Sequence, residues 1–246
     1  MGIFSYFSQE AKLERRRASA QKRLSNMYYQ SVERNAAAQE MAELAQQHED
    51  GKALRILLTR FEHMNPSTTV DQDEKQYVVE LLHSIGDFAI EGTKKYVEET
   101  TEAIFWPMRY LKEKLSEEDF CTFLAEQLAA TSDEYVRDPK KKLGLVQLAK
   151  EHPSDDVKKE VLRFVHDFDE NVRFHAINVA LECNAPGVKD ALRTQWADPK
   201  EDSGRIWLQI AEAFAANGWT VDDDEEAIRA HLPPGASISA KGTILR

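Results

Sequence analysis

Glycine and proline are scarce in this chain, at 10 and 8 of 246 residues. Folds built from many tight β-turns depend on those two residues, so an all-β architecture is excluded. Cysteine is scarcer still, with only Cys121 and Cys183. Both lie in apolar helical runs, Phe120-Cys121-Thr122-Phe123-Leu124 and Leu181-Glu182-Cys183, and read as two reduced core thiols. Thiols this sparse predict no thiolate metal site, and no metal or cofactor is expected. No run approaches the roughly 18 apolar residues of a membrane-spanning helix. Ile3-Phe4-Ser5-Tyr6-Phe7 is too short for a secretory apolar region, and the basic cluster follows it instead of preceding it. The opening Met1-Gly2-Ile3-Phe4-Ser5-Tyr6 misses a myristoylation signal, because its serine falls one position early. Neither a glycine-rich phosphate loop nor a nucleophile elbow occurs.

Positive charge is also in deficit. The net charge of −11 opposes a general phosphate-binding surface, which needs clustered Lys and Arg. The deficit is uneven: residues 1–48 hold seven Lys and Arg against five Asp and Glu, which leaves the remainder at −13. Six of those cations fall between Lys12 and Arg23, giving a basic arm on an acidic body.

Helix formers dominate what is present. Pro and Gly are absent from Ile3 to Asp50, and residues 8–48 read as one or two long helices whose thin apolar content sustains no heptad. From Gly51 onward, apolar periodicity and breakers divide the chain into helical pairs. The expected pairs are 51–64 with 73–86, 88–99 with 101–115, 116–131 with 139–152, 154–168 with 170–183, and 186–197 with 203–218. A short helix over 223–232 and an extended or strand-like tail follow. This predicts an arm at 1–48, a repeat region at 49–221 and a C-terminal cap at 222–246.

One run carries more information than the others. Asp169-Glu170-Asn171-Val172-Arg173-Phe174-His175-Ala176 is an acidic turn, then Val-Arg opening a helix. Asp202-Ser203-Gly204-Arg205 with Ala211 is a weaker copy, and Ser154-Asp155-Asp156-Val157-Lys158 a fainter echo. The two arginines stand 32 positions apart, a spacing that belongs to stacked repeats. Asp169 is expected to cap its helix or the inter-helix turn, Arg173 and Arg205 to serve architecture by bridging to the aspartate of a neighbouring repeat, with a carboxylate such as Asp169 as the partner of Arg173, and Ala176 to permit close packing.

The Asp-x-x-Val-Arg-x-x-Ala pattern resembles the HEAT repeat in its lyase-type form. Stretches such as Phe105-Trp106-Pro107-Met108-Arg109 and Tyr135-Val136-Arg137-Asp138-Pro139 are similar to bacterial HEAT-repeat proteins without assigned activity. The resemblance covers about residues 50–245. It implies an all-α fold, a right-handed α-solenoid of HEAT-like helical pairs with a long N-terminal helix and a short C-terminal cap. Such folds are mostly scaffolds and adaptors, though fold alone does not give function.

Other members of that group bring chemistry that this sequence supports less well than an adaptor role. A di-iron hydroxylase of this fold uses repeated His-Glu pairs, whereas only His48-Glu49 forms one here and it precedes the repeats. The remaining histidines are scattered singly. A pigment-binding module of the phycobilin lyase type needs a pocket to which no residue points. A DNA glycosylase-like groove needs basic charge that the body lacks. Asp222-Asp223-Asp224-Glu225-Glu226 lacks the glycine and distal glutamate of an EF-hand and reads as acids opening a helix. Lys140-Lys141-Lys142 reads as a solvated face, and Trp196 and Trp207 as core.

The expectation is therefore a non-enzymatic adaptor. It would bind a protein partner, one with a basic patch, through the solenoid's concave face and the N-terminal arm. The alternatives are a small-molecule or pigment-binding module, a HEAT-like enzyme of the DNA glycosylase type, and a membrane-surface adaptor tethered by the basic N-terminal helix; self-association also stays open, and nucleic acid is disfavoured. The candidate contacts are Phe4 and Phe7 in the apolar tip, Arg15, Arg16 and Arg17 in the basic run, and Trp106 with Arg109. The expected location is the cytoplasm, with the periphery of the inner membrane as the alternative.

Overall fold

The computed structural model describes residues 3–245, with side chains from Glu10 onward. The apolar tip with Phe4 and Phe7 therefore lies outside the described side chains. The described residues are all-helical apart from a terminal hairpin, with thirteen α-helices and three short 3-10 segments. No helix is long and apolar enough to cross a membrane. The chain divides into two compact units, residues 1–116 and 117–246.

The first unit holds α1 (Ile3–Ser25), α2 (Ser31–His48), α3 (Gly51–Leu58), α4 (Thr68–Ile85), α5 (Asp87–Glu99) and α6 (Phe105–Lys114). The expected N-terminal segment is thus two helices, although neither Gly nor Pro separates them. Local hydrogen bonds do so instead. The Asn26 side chain accepts from the Tyr28 amide, and Glu33 reaches back to the Gln30 amide in a capping box. Both helices pack within the first unit. α2 packs on α1, α3 and α4 with a face of Ala37, Ala38, Met41, Ala42 and Ala45. Alanines give a shallow face that lets backbones approach, a signal that counting large apolar residues overlooks. Asp50 caps α3 by accepting from the Lys52 and Ala53 amides. α6 starts at Phe105, later than the expected 101, because Pro107 is tolerated only in a first turn.

The second unit holds α7 (Glu117–Thr131), α8 (Lys140–Glu151), α9 (Asp155–Val161), α10 (Glu170–Glu182), α11 (Val188–Ala197), α12 (Gly204–Asn217) and α13 (Glu225–Arg229). α10 packs on both α8 and α12. Asp169 caps α10 through the Asn171 and Val172 amides, and Ala176 is fully buried, as the repeat pattern predicts. The tail forms a hairpin, β1 (Ser237–Ile238) antiparallel to β2 (Ile244–Leu245), with Ile238 opposite Ile244. Gly242 takes a positive φ of 76° in its turn, a conformation costly for other residues. Trp196 is buried and donates to the His231 carbonyl, whereas Trp207 is half-buried and stacks on the His231 ring.

The acidic run at Asp222 does more than open a helix. Asp222 accepts from Lys189 and Arg193 of α11 at 2.8 Å each, and Arg193 also meets Asp224 at 2.9 Å. The Lys189 and Thr220 hydrogen bonds pull the Asp222 carboxyl down to about 2. These charges tie the cap to α11.

Candidate functional site

Buried cations organise several of the turns between successive helices. Arg34, in the first turn of α2, donates to the Met27 and Tyr29 carbonyls of its own preceding turn. The same guanidinium pairs with Glu74 of α4, at 2.9 Å through Nε and 2.5 Å through the second terminal nitrogen. Arg60 supports Glu74 from its other side at 2.9 Å and holds the turn before α4 through the His63 carbonyl. In the second unit, Lys142 in the first turn of α8 donates to the Glu134 carbonyl of its preceding turn and to Asp167 of the next pair, both at 2.5 Å. Arg173 in α10 repeats the arrangement. It donates to the Asp167 and Phe168 carbonyls and pairs with Glu201 of the following turn.

Arg34, Lys142 and Arg173 thus each bind carbonyls of their own turn and a carboxylate further along the chain, whereas Arg60 holds its turn to Glu74 and Asp71 of the helix that follows it. Lys142 is 2% exposed, which overturns the expected solvated face of Lys140-Lys141-Lys142. A lysine run resembles a solvated face until a buried acid faces it, and Asp167 lies 25 residues away. Arg173 serves architecture, but its partner is Glu201 and not the expected aspartate of the repeat pattern. Asp169 is occupied with capping. Arg205 behaves differently, lying exposed over the Phe174 ring at 3.7 Å.

The turns held in this way present Tyr28, Met64, Tyr135 and Phe168 to solvent. Tyr28, Met64, Phe105, Tyr135 and Phe168 are 63 to 99% exposed. Tyr28 lies between α1 and α2, Met64 between α3 and α4, Tyr135 between α7 and α8, and Phe168 just before α10, while Phe105 opens α6. Large exposed apolar residues concentrate in turns between successive helices. Elsewhere the described residues show only Val32, Leu208 and Leu245. In the second unit, Tyr135 and Phe168 meet edge to face with centroids 5.8 Å apart. Lys142 spans the two turns that carry them. Exposed charges of both signs flank Tyr135 in the chain, with Asp133 paired to Arg163 and Asp138 to Lys140.

Of the residues singled out from sequence, Trp106 and Arg109 come together, with the guanidinium 5.4 Å from the indole ring and Phe105 edge-on to it. Arg109 also reaches Glu113 at 3.3 Å. The basic run is largely occupied within the unit. Arg17 is buried against Asp50 and bonds Glu10 and Glu14. Arg16 and Arg23 both grip Glu40 at 2.8 Å, and Arg15 alone of the three candidate arginines is exposed.

A cleft of about 650 Å³ lies between α1, α3 and α5, lined by Leu54, Ile56, Phe88 and Gly92 among others. The cations on its rim are already paired: Arg17 with Asp50, Lys52 with Glu14, Arg55 with Glu62 and Lys95 with Glu99. Burial pushes the Tyr96 hydroxyl at its base far up, with the nearby Glu62 charge adding to the rise. The tyrosine therefore stays neutral, and the described residues give the cleft no free cation for an anionic ligand.

Elsewhere in the second unit, Glu117 and Cys121 of α7 converge with His152, which caps the end of α8. His152 Nδ1 lies 2.5 Å from the Glu117 carboxylate, and Cys121 Sγ lies 3.7 Å from the same oxygen. Burial, with the Glu117 charge beside it, raises the Cys121 thiol above its ordinary value. Sequence reasoning missed this cluster because it counted thiols; one helical turn brings Glu117 to Cys121, but only the fold brings His152.

Comparison with protein-family models, with curated proteins and with solved structures finds no match for this chain.

Proposed function

We propose that the chain is a HEAT-like, non-enzymatic scaffold whose helical pairs stack as an α-solenoid and bind a protein partner. The observation that carries this reading is the placement of the exposed apolar side chains. They recur in turns between successive helices, and buried cations hold several of those turns rigid. Preorganised aromatic side chains are effective interface residues, since they bury much area at little entropic cost. Tyr135 with Phe168, and Trp106 with Phe105 and Arg109, are the contact sets this reading favours. The charge of −13 on residues 49–246 favours a partner with a basic patch.

Support also comes from where the polar groups are spent. Arg34, Arg60, Lys142 and Arg173 serve architecture, and the cleft of the first unit has its rim charges neutralised internally. The N-terminal segment contributes to the first unit's packing, so its role in recognition rests on Arg15 and the apolar tip.

The test is affinity purification from the native cell with the full chain and with a Tyr135→Ser/Phe168→Ser variant. Both substitutions are at exposed positions, so the melting temperature should stay within about a degree or two of wild type. A co-purifying protein partner that disappears with the variant supports the reading. Retention of every partner at wild-type yield rejects the second-unit turns as the docking surface.

A further inference from the structure

We propose that Glu117, Cys121 and His152 form a binding site for a borderline-soft divalent metal ion, with Zn²⁺ as the favoured species. Among the described residues this is the only group of three or more metal-ligating side chains whose donor atoms converge, all within 4.8 Å of one another. The donors are of three kinds: a carboxylate, a thiol and an imidazole. Mixed sulfur, nitrogen and oxygen sets suit Zn²⁺, whereas Mg²⁺ and Ca²⁺ prefer oxygen alone.

The local geometry fits one ion. Ligand atoms around a tetrahedral zinc sit roughly 3.2–3.8 Å from each other, given Zn–N near 2.0 Å and Zn–S near 2.3 Å. The Sγ to carboxylate separation of 3.7 Å already lies in that range. The Glu117–His152 separation of 2.5 Å must open. Glu117 is able to do this, because its side chain is 66% exposed and sits in the first turn of α7. The other two donors are fixed. Cys121 is 9% exposed and His152 4%. Phe120 packs edge-on against the imidazole with centroids 4.9 Å apart, which restrains the ring. Two buried donors with one exposed donor leave the cluster open to solvent on the Glu117 side.

A relay reading of the same residues is weaker. In a nucleophilic triad the imidazole stands between thiol and carboxylate, using one nitrogen for each. Here the carboxylate oxygen bonds Nδ1, Cys121 Sγ points to that same carboxylate and to the His152 carbonyl, and Nε2 is buried with no hydrogen-bond partner. The thiol and the imidazole share one carboxylate, which is the arrangement of co-ligands. Binding releases the Cys121 proton to solvent and leaves the thiolate on the metal. Three protein ligands leave a fourth position for water. The ion would join α7 to the α8–α9 connection, so it would stabilise the second unit.

The test uses the full chain, stripped with a chelator, kept reduced with a phosphine and titrated with Co²⁺. The expected result is one equivalent bound, with a thiolate-to-cobalt absorption band in the near ultraviolet that Zn²⁺ abolishes by displacement. Cys121→Ser should lose that band and Cys183→Ser should keep it. Glu117→Gln, at an exposed position that tolerates change, should weaken binding roughly tenfold or more. Zn²⁺ should raise the melting temperature of wild type and of Cys183→Ser. No cobalt–thiolate band in wild type, or a band that survives Cys121→Ser, overturns the site. An unchanged affinity in Glu117→Gln removes the carboxylate from the ligand set and overturns the three-donor assignment. Should Cys121→Ser fail to fold, the same question is read from wild type, where bound Zn²⁺ must slow alkylation of one of the two cysteines; equal rates with and without Zn²⁺ overturn the proposal.

Discussion

Arg173 and Glu201 form an ion pair across neighbouring turns, with a terminal nitrogen donating to one carboxylate oxygen at 3.0 Å and Nε 2.9 Å from the other but outside hydrogen-bond geometry. The Glu201 carboxylate is completely buried and also accepts from Gln195 and from the Ser203 amide. Removing the cation strands that charge. Arg173→Ala should therefore destabilise the second unit by about 3–5 kcal/mol, read from urea denaturation. Arg173→Lys should recover only part of this, because a lysine lacks the guanidinium fork that pairs with Glu201 and holds two carbonyls together. A denaturation midpoint equal to wild type would show that the pair is dispensable.

Lys142→Met tests whether the buried cation orders the exposed aromatic turns. Methionine keeps the stem's volume and strands Asp167, whose side chain also accepts from the Asp169 amide at 2.9 Å. The expected outcome is a loss of about 3–5 kcal/mol, with faster amide exchange around Tyr135 and Phe168 than around α12. Uniform exchange behaviour across the second unit would separate turn rigidity from Lys142.

Acid should unfold the first unit through its buried carboxylates. Burial pulls Glu74 up, but Arg34 and Arg60 pull it further down, so it ends below its ordinary 4.5. Asp71 behaves alike: burial raises it, Lys75 and Arg60 outweigh that, and it ends below 3.8. A depressed folded-state pKa means stability that is fully present above the unfolded value and lost as pH falls through the folded one. Stability of the first unit should hold above about pH 4.5 and decline steadily below it. Glu74→Gln should start less stable and decline less steeply, as monitored by urea midpoints between about pH 5 and pH 3. Parallel slopes for the two proteins would exclude Glu74 as the main titrating group.

Deleting residues 1–48 should disrupt the first unit. The deletion removes Arg34 from Glu74, takes α2's alanine face off α3 and α4, and leaves Arg60 as the sole guanidinium on a buried carboxylate. The remaining α3–α6 segment should become sensitive to protease, while a chain of residues 117–246 should keep its helical circular dichroism and melt cooperatively. A truncated protein as protease-resistant as wild type would support the reading of residues 1–48 as a separable arm.

Local patterns were enough for much of the helical layout. The apolar periodicity after Gly51, the breakers at Pro66, Pro139, Pro153 and Gly218, and the capping acid Asp169 act within a few residues, so their effect is legible in order along the chain. The Asp-Val-Arg-Ala pattern likewise located a bridging arginine. Tertiary structure decided everything that needed a distant partner. Lys142 became a buried staple only because Asp167 faces it, and Arg17 was consumed by Asp50. α2 joined the first unit because Ala37, Ala38, Ala42 and Ala45 found close neighbours. Glu117 and Cys121 are neighbours on a helix by spacing alone, yet His152 joins them only when α8 ends beside α7. Exposure follows the same rule: Tyr135 and Phe168 read as ordinary apolar residues until the packing of the helices on either side leaves them outside. A sequence encodes propensity and spacing locally; burial and charge pairing depend on which surfaces meet.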